Sequence, residues 1–200
     1  MVAPIDFYFD FSSPYGYLAA QRIDDIAARH GREAAWRPYL LGAVFKTTGS
    51  QPLLQIPMKG EYAERDMRRC ARLFGIPFTW PPTFPFASVA ACRAYYRLSD
   101  RDPAQAKDLA KALYRAAFAE GRDISSAEAV GEVAAELGID RDTLLAALQA
   151  PEVKERLKQE VDAAIARGVF GSPFIFVDGE PFWGHDRLEH VERWLETGGW

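Results

Sequence analysis

Apolar and polar residues alternate with different periods along the chain, and the changes of period divide it into strands and helices. The run IDFYFDF at 5–11 is apolar apart from two aspartates, which is typical of a central strand covered on both faces. Between Pro14 and Gly31 the apolar residues recur at helical spacing, which predicts one amphipathic helix. A second strand is predicted at about Ala34 to Leu41, weakened as a central strand by Pro38. Strand, helix and strand in this order indicate a βαβ opening.

The middle of the chain is predicted to be almost entirely helical. Gly42 to Met58 is rich in glycine, threonine, serine, glutamine and proline, and we expect irregular chain with one short helix around Ala43 to Lys46. Long loops of this kind are often functional. Glycine and proline breaks separate the helices that follow, and several of these helices have N-cap or first-turn proline signals. The predicted helices are 61–74, 86–99, 103–120, 126–137, 140–149 and 151–167.

Strand character returns near the end of the chain. Phe174 to Asp178 is predicted to be a strand, Gly179 and Glu180 a tight turn, and Pro181 to Trp183 a short antiparallel partner. A last helix is predicted from about Asp186 to Glu196. The order β-α-β, helical block, α-β-β-α is that of an α/β thioredoxin-like fold with a large all-helical insertion after the second strand. The predicted thioredoxin-like domain is 1–44 and 151–200, and the predicted helical insertion domain is 45–150.

Composition and charge exclude some classes of partner. The chain has 200 residues, 48% of them apolar, which suits one domain with a proper core or one domain with a sizeable insertion. A formal net charge of −4 without a basic block argues against nucleic acid as the main partner. No apolar run approaches the ~20 residues of a membrane span and no secretory leader pattern is present, so we expect a cytoplasmic chain with no membrane partner.

Cysteines and histidines give little sign of redox or metal chemistry in the sequence. Cys70 and Cys92 both lie in predicted helices, no Cys-x-x-Cys pair occurs, and a buried, inert thiol is expected for each. His30, His185 and His190 are too few and too scattered to suggest a metal site, so none is assigned.

Two motifs carry the candidate chemistry. In DFSSPYG at 10–16, Ser13 is a good N-cap and Pro14 suits the first helical position, so hydroxyls and amide N–H groups converge on one point. A helix N-terminus favours carboxylates, phosphates and thiolates. Pro173, just before the third strand, is by itself more simply an ordinary trans proline, because only ~5–6% of X–Pro bonds are cis. In a thioredoxin-like context a cis proline faces the first helix, and the residue before it offers its backbone to an extended ligand.

Three segments together resemble the 2-hydroxychromene-2-carboxylate isomerase family: YFDFSSPYGYLA, TTGSQPLLQIPMKGEY and GVFGSPFIFVDGEPFWGHDRL. That family is related to kappa-class glutathione transferases and to DsbA-type oxidoreductases. The resemblance covers essentially the whole chain. It implies a DsbA-like fold, a homodimer, glutathione as cofactor and a small aromatic 2-oxo acid as substrate.

The resemblance also assigns roles to residues of this sequence. Ser13 matches the catalytic serine that hydrogen-bonds the sulfur of glutathione; its simpler role is an N-cap, and Ser12 is the competing candidate. Ser172 matches the residue whose backbone holds the cysteinyl unit. Asp186 matches a partner for the α-ammonium group, although without the family it is only the N-cap of the last helix. The glutathione-binding residues implied are Ser13, Pro14, Tyr15, Ser50, Ser172, Pro173, Trp183, His185 and Asp186.

The expected pocket for the second substrate is less closely matched. Lys59 matches a family lysine that could attract a carboxylate, though an exposed loop lysine is equally expected. The aromatic group Trp80, Phe84 and Phe86 could wall an apolar pocket or be simple core. Three positions depart from the family. His185 stands where asparagine or serine is common, and Ser50 and Ala87 each stand where asparagine is common. 

We therefore predict a glutathione-dependent isomerase that interconverts 2-hydroxychromene-2-carboxylate and trans-o-hydroxybenzylidenepyruvate. The alternatives are a kappa-like glutathione transferase or peroxidase, and a non-catalytic glutathione-binding relative. A dithiol oxidoreductase is disfavoured, because the nucleophilic pair is replaced by Ser13 and Gly16.

Overall fold

The computed structural model describes residues 3–200 and contains one four-stranded sheet in the order β2-β1-β3-β4. The strands are β1 (Ile5–Phe9), β2 (Ala34–Pro38), β3 (Phe174–Val177) and β4 (Glu180–Trp183). β1 runs parallel to β2 and antiparallel to β3, and β4 is antiparallel to β3. The predicted central position of the first strand is confirmed, and Pro38 lies at the end of an edge strand, where proline is tolerated.

The described residues form ten α-helices and two 3-10 turns. Most of the helices lie between β2 and β3, so the predicted α/β fold with a large helical insertion is confirmed. The 3-10 turns are Leu53–Gln55 and His185–Arg187. The helices are α1 (Pro14–Ala20), α2 (Ile23–Arg29), α3 (Leu41–Thr48), α4 (Lys59–Leu73), α5 (Val89–Ser99), α6 (Pro103–Phe118), α7 (Ala127–Glu136), α8 (Arg141–Leu148), α9 (Pro151–Ala166) and α10 (Leu188–Thr197).

The start signals of several helices are confirmed. Ser13, Asp102, Ser126 and Asp140 each accept a hydrogen bond from the backbone N–H three residues later, at 2.8–3.1 Å. Each such bond satisfies an amide that has no intrahelical partner. Because these contacts are local, they could be predicted from sequence.

Other boundaries differ from prediction. The helix predicted between Pro14 and Gly31 is two helices, because the backbone of Arg22 leaves helical geometry at φ −124°. β1 ends at Phe9 rather than at residue 11, because the Asp10 carboxylate accepts the Ser12 amide and turns the chain. The β3–β4 turn is Asp178–Gly179, with φ of 53° and 94°, rather than Gly179–Glu180. 

α5 and α10 begin later than expected. α5 starts at Val89 rather than at Phe86, whose ring is buried against Phe118 of α6 at 6.0 Å. Asp186 is not the N-cap of the last helix: it lies in the 3-10 turn, and α10 begins at Leu188 without a side-chain cap.

The core brings α6 behind the loop that follows β1. Phe9 lies 5.5 Å from Tyr114 and Phe11 lies 5.4 Å from it, between ring centroids. One core cluster contains residues from both predicted domains; the domain boundaries at 44/45 and 150/151 stay a prediction. Within residues 3–200, none of the helices combines the length and the apolar character that a membrane span demands.

Candidate active site

The predicted site residues surround one open cleft of about 1670 Å³. It lies where the start of α1, the segment from α3 to α4, the loop before β3 and the turn before α10 meet. Of the residues singled out from the sequence, those that line it are Ser12, Ser13, Pro14, Tyr15, Ser50, Lys59, Trp80, Phe84, Phe86, Ala87, Ser172, Trp183, His185 and Asp186. Pro173 follows the lining residue Ser172, and the peptide bond between them is cis.

Ser13 sits at the junction of the two motifs. Its Oγ donates to the backbone carbonyl of Ser172 at 2.9 Å and accepts the Gly16 N–H at 3.0 Å. The residue is buried, and Pro14 follows it as the first helical residue. The hydroxyl that caps α1 is therefore also the hydroxyl that contacts the cis-proline loop.

Ser12 is held differently. Both its amide and its hydroxyl donate to Asp10 Oδ1, each at 2.8 Å. The Ser12 hydroxyl is therefore committed to a carboxylate, whereas that of Ser13 contacts the second motif. This difference favours Ser13 over Ser12 as the serine that acts on a ligand.

Asp10 is a site residue that the sequence prediction missed. Its carboxylate also accepts the Leu41 amide at 2.7 Å, which satisfies the start of α3, and its own amide donates to Ser172 Oγ at 2.9 Å. Its carbonyl accepts the Ser13 amide and the Tyr114 hydroxyl, both at 2.9 Å. The available signal in the sequence was an aspartate within the apolar run at 5–11.

Two tyrosines fix the two loops of the site: Tyr39 holds the loop before β3, and Tyr114 holds the loop after β1 through the Asp10 carbonyl. Tyr39 OH donates to the Gly171 carbonyl at 2.7 Å, and burial raises the pKa of Tyr39 well above its usual value. Burial raises the pKa of Tyr114 in the same way. Both phenols therefore stay protonated and act as fixed hydrogen-bond donors rather than as acids.

The position three residues after Ser13 has no room for a side chain. A Cβ on Gly16 would lie 2.6 Å from the Tyr114 hydroxyl and 2.9 Å from Ser172 Oγ. A second cysteine at this position, as in a Cys-x-x-Cys pair, would collide with both atoms. The structure thus gives a steric reason against dithiol chemistry, in addition to the absent cysteines.

His185 packs beside the start of α1. Its ring stacks on Tyr15 with centroids 5.2 Å apart, and Phe74 meets it edge-on at 6.1 Å. Burial lowers the pKa of His185, and its Nδ1 is buried without a hydrogen-bond partner among residues 3–200. Tyr15 OH donates to Asp66 Oδ2 at 3.0 Å, so α4 joins this group.

The expectation that both cysteines are buried is wrong for one of them. Cys92 is fully buried, but Cys70 is half-buried and lines the cleft beside Asp66. Burial is the largest cause that raises the pKa of the Cys70 thiol, and the Asp66 carboxylate adds to it. Neither Cys70 nor Asp66 was singled out from the sequence as a site residue.

The rim of the cleft carries charged and apolar residues. Trp183 is 58% exposed and packs on Phe170, with ring centroids 5.0 Å apart. Asp186 is exposed and paired with Arg187 at 3.1 Å. Lys59 also lines the cleft and is exposed, at the first residue of α4 rather than in the loop predicted for it.

The three aromatic residues line the cleft, and two of them also pack on the core. Trp80 and Phe84 lie 4.9 Å apart, and Phe84 and Phe86 lie 6.4 Å apart, between ring centroids. All three line the cleft, while Phe84 and Phe86 also pack on Phe118. The group is therefore an apolar wall attached to the core.

Comparison with known proteins identifies relatives along nearly the whole chain. Residues 4–196 match the DSBA-like thioredoxin domain family. A 2-hydroxychromene-2-carboxylate isomerase of Sphingobium xenophagum is 31% identical, with 98% of this chain and 99% of that protein covered. Glutathione S-transferase kappa 2 of Caenorhabditis elegans is 29% identical, with 96% and 91% covered. A solved 2-hydroxychromene-2-carboxylate isomerase superimposes with a TM-score of 0.88 at 31% identity, covering 97% of this chain and 95% of that one.

Proposed function

The chain belongs to the DSBA-like thioredoxin domain family and, within it, to the 2-hydroxychromene-2-carboxylate isomerases, and on this premise we propose that it is a glutathione-dependent isomerase. Its proposed reaction interconverts 2-hydroxychromene-2-carboxylate and trans-o-hydroxybenzylidenepyruvate in the breakdown of naphthalene-type aromatic compounds. One observation carries the proposal: the buried Ser13 hydroxyl caps α1 and contacts the cis Ser172–Pro173 loop inside a cleft.

The residues around Ser13 fit a bound thiol. The Tyr15 amide, in the first turn of α1, has no hydrogen-bond acceptor among residues 3–200. An N–H group at a helix start and a serine hydroxyl both stabilise a thiolate, whose thiol otherwise has a pKa near ~8.5. Ser13 and Gly16 supply no sulfur at the start of α1, so in this proposal the thiolate there comes with the ligand.

When bound, glutathione supplies a thiolate that adds reversibly to the conjugated substrate, which turns a double bond into a single bond and permits rotation about it. The Ser13 hydroxyl turns from the Ser172 carbonyl to the sulfur and stabilises its negative charge. When the Ser13 hydroxyl turns in this way, the Ser172 carbonyl is released and can accept an N–H from the extended ligand. Tyr39 and Tyr114 keep the two motifs in register through their bonds to Gly171 and Asp10.

The rim of the cleft supplies charges for the rest of the ligand. Asp186 is proposed to pair with the α-ammonium group of the γ-glutamyl unit, and Arg187 with its carboxylate. This assignment gives the carboxylate to Arg187 because α10 begins too late for its N-terminus to lie at Asp186. Pro14, Ser50, Trp183 and His185 are the remaining lining residues proposed to contact glutathione.

The second substrate is proposed to occupy the other end of the cleft. Trp80, Phe84 and Phe86 offer an apolar wall for its aromatic ring. Lys59 lies on the same cleft and offers an ammonium group for its carboxylate. We further propose that the chain forms a homodimer, which light scattering coupled to size-exclusion chromatography would test.

The proposed reaction can be followed by absorbance with 2-hydroxychromene-2-carboxylate, with and without glutathione. We expect turnover that glutathione stimulates and that saturates with its concentration. An equal rate without glutathione, or no turnover at any concentration, would contradict the proposal. Isothermal titration of glutathione in the same buffer then separates a binder without activity from a protein that does not bind at all.

Kappa-class transferase activity is the second candidate, because the kappa 2 relative is nearly as similar to the chain as the isomerase relative is. The same Ser13 arrangement serves both activities, so geometry alone does not separate them. Conjugation of a chloronitrobenzene to glutathione, with no isomerisation of the chromene, would favour the transferase. Ser50 and Ala87 line the cleft at positions where asparagine is common in the family. If the chain is a transferase and not an isomerase, Ser50→Asn and Ala87→Asn are the substitutions with which to seek isomerase activity.

A further inference from the structure

A cluster of metal-ligand side chains that does not include Ser13 lies in the lining of the cleft. Asp66 and Cys70 are four residues apart on α4 and so point from the same face of the helix. His185 reaches them from the 3-10 turn before α10. One ligand atom of each residue lies within 4.8 Å of those of the other two.

The imidazole of His185 is buried and keeps a ring nitrogen without a partner. It is 7% exposed, and its Nδ1 has no hydrogen-bond partner among residues 3–200. A buried nitrogen without a hydrogen bond costs free energy, and a bound cation is one way to satisfy such a group. The stack on Tyr15 limits rotation of the ring.

The neighbours of the cluster form an outer layer around it. Tyr15 OH donates to Asp66 Oδ2, and Arg69 pairs with Asp66 Oδ1. Hydrogen bonds of this kind orient the carboxylate of a metal ligand. The positive charge of Arg69 works in the opposite direction, since it competes with a cation for the carboxylate. Arg69 is 58% exposed at its side chain and can turn into solvent.

We propose that Asp66, Cys70 and His185 bind a zinc ion, with a fourth coordination position open to the cleft. Thiolate, imidazole and carboxylate together form a ligand set that zinc accepts, and three protein ligands with one open position are typical of zinc sites that exchange a ligand. Ligand atoms around zinc lie roughly 3.5 Å apart, so the side chains have to close by about 1 Å from their present positions. Binding releases the Cys70 proton to solvent and forms a bond from its sulfur to zinc.

The cleft offers a route for the ion, since all three residues line it. The site goes beyond the proposed isomerase, and its test requires neither glutathione nor turnover. Cobalt(II) is the first probe, because a thiolate bound to cobalt gives a charge-transfer band in the near ultraviolet. Metal-free full-length protein is titrated with cobalt in a buffer free of thiols, and zinc is then added to displace it.

We expect one equivalent of cobalt to produce the thiolate band and zinc to abolish it. Cys70→Ser should lose the band, whereas Cys92→Ser should keep it, because Cys92 is fully buried outside the cluster. His185→Asn should weaken zinc binding at least tenfold in competition with a chromophoric chelator. His190→Asn, which changes an exposed histidine, should leave the affinity unchanged.

Two results would overturn the site: cobalt binding without a thiolate band, or a band that persists in Cys70→Ser. Circular dichroism verifies that each variant is folded. If Cys70→Ser does not fold, X-ray absorption of the zinc-loaded native protein replaces it. One sulfur among the zinc ligands supports the proposal, and a shell without sulfur refutes it.

Discussion

The hydroxyl of Ser13 donates a hydrogen bond to the backbone carbonyl of Ser172 at 2.9 Å, across 159 positions of sequence. The side chain of Ser172 also accepts a hydrogen bond from the backbone amide of Asp10, at 2.9 Å. Two loops from opposite ends of the chain are thus joined by two hydrogen bonds, both accepted by Ser172. The serine that is proposed to meet a thiolate is therefore already positioned before any ligand binds.

The first prediction concerns that hydroxyl. Ser13→Ala removes the donor proposed to stabilise the thiolate, and kcat/KM for the glutathione-dependent isomerisation should fall about 10²-fold, as for other lost donors to a developing anion. The free energy of unfolding should fall by about 1–3 kcal/mol, because the N-cap of α1 and the buried bond to the Ser172 carbonyl are both lost. The absorbance assay and urea denaturation measure the two effects.

Ser126→Ala is the matched control for this variant. Ser126 caps α7 through the Ala129 amide at 3.1 Å and lies outside the cleft lining. Its free energy of unfolding should fall by about 1 kcal/mol from the loss of the cap alone, with full turnover. If Ser13→Ala is as active as Ser126→Ala, Ser13 has no role beyond the cap.

The second prediction concerns space at Gly16. Gly16→Ala places a Cβ 2.6 Å from the Tyr114 hydroxyl, so it should lower the free energy of unfolding by about 1–3 kcal/mol. In the double variant with Tyr114→Phe the phenol oxygen is absent, and the combined loss should be smaller than the sum of the two single losses. Urea denaturation of the four chains of this cycle measures the coupling.

Gly42→Ala is the control for added volume without a clash. Gly42 lies in α3 with no heavy atom within 4 Å of an added Cβ, so alanine should stabilise the protein by up to about 1 kcal/mol. Additive losses in the Gly16 and Tyr114 cycle would mean that the phenol is not what excludes a side chain.

Local signals made part of the fold predictable. The side chains of Ser126 and Asp140 each accept the backbone N–H three residues later and so cap their helices. Pro103 and Pro151 are the first residues of theirs. Each of these helix starts depends only on residues within one turn. The central position of β1 followed from an apolar run that must be covered on both faces.

The features that sequence missed depend on distant partners. α3 begins at Leu41 although Leu40 offers no cap, because the carboxylate of Asp10 accepts the Leu41 amide. Asp66, Cys70 and His185 come together only when α4 packs beside the turn before α10. No periodicity or spacing in the sequence joins His185 to two residues more than a hundred positions before it, so the cluster could not be predicted from sequence.

The third prediction concerns the buried carboxylate of Asp10. The carboxylate accepts two hydrogen bonds from Ser12 and one from Leu41. In asparagine one of the two oxygens is replaced by an NH2 group, which cannot accept a hydrogen bond from these N–H and O–H groups. Asp10→Asn should therefore lower the free energy of unfolding by about 1–3 kcal/mol and should lower kcat more than it raises KM. Asp108→Asn, at an exposed position of α6, should leave both within error, about ±0.5 kcal/mol for stability. Normal turnover in a folded Asp10→Asn chain would show that Asp10 does not position the site.

The last prediction uses the pH dependence of Asp24, which needs no ligand. Burial by itself would raise its pKa, but hydrogen bonds from Lys111, Trp36 and Lys107 outweigh burial, and the pKa of Asp24 is lowered in the folded chain. Because the folded pKa lies below the unfolded value of about 3.9, this stabilisation is complete above about pH 4 and is lost as the pH falls through the folded pKa. Asp24→Asn should thus cost about 1–2 kcal/mol at pH 7 and much less in strong acid. Asp25→Asn, its exposed neighbour in α2, is the control, and urea denaturation at pH 7 and near pH 2 compares the two. If the loss in Asp24→Asn is the same at both pH values, the three donors do not act through the charge of Asp24.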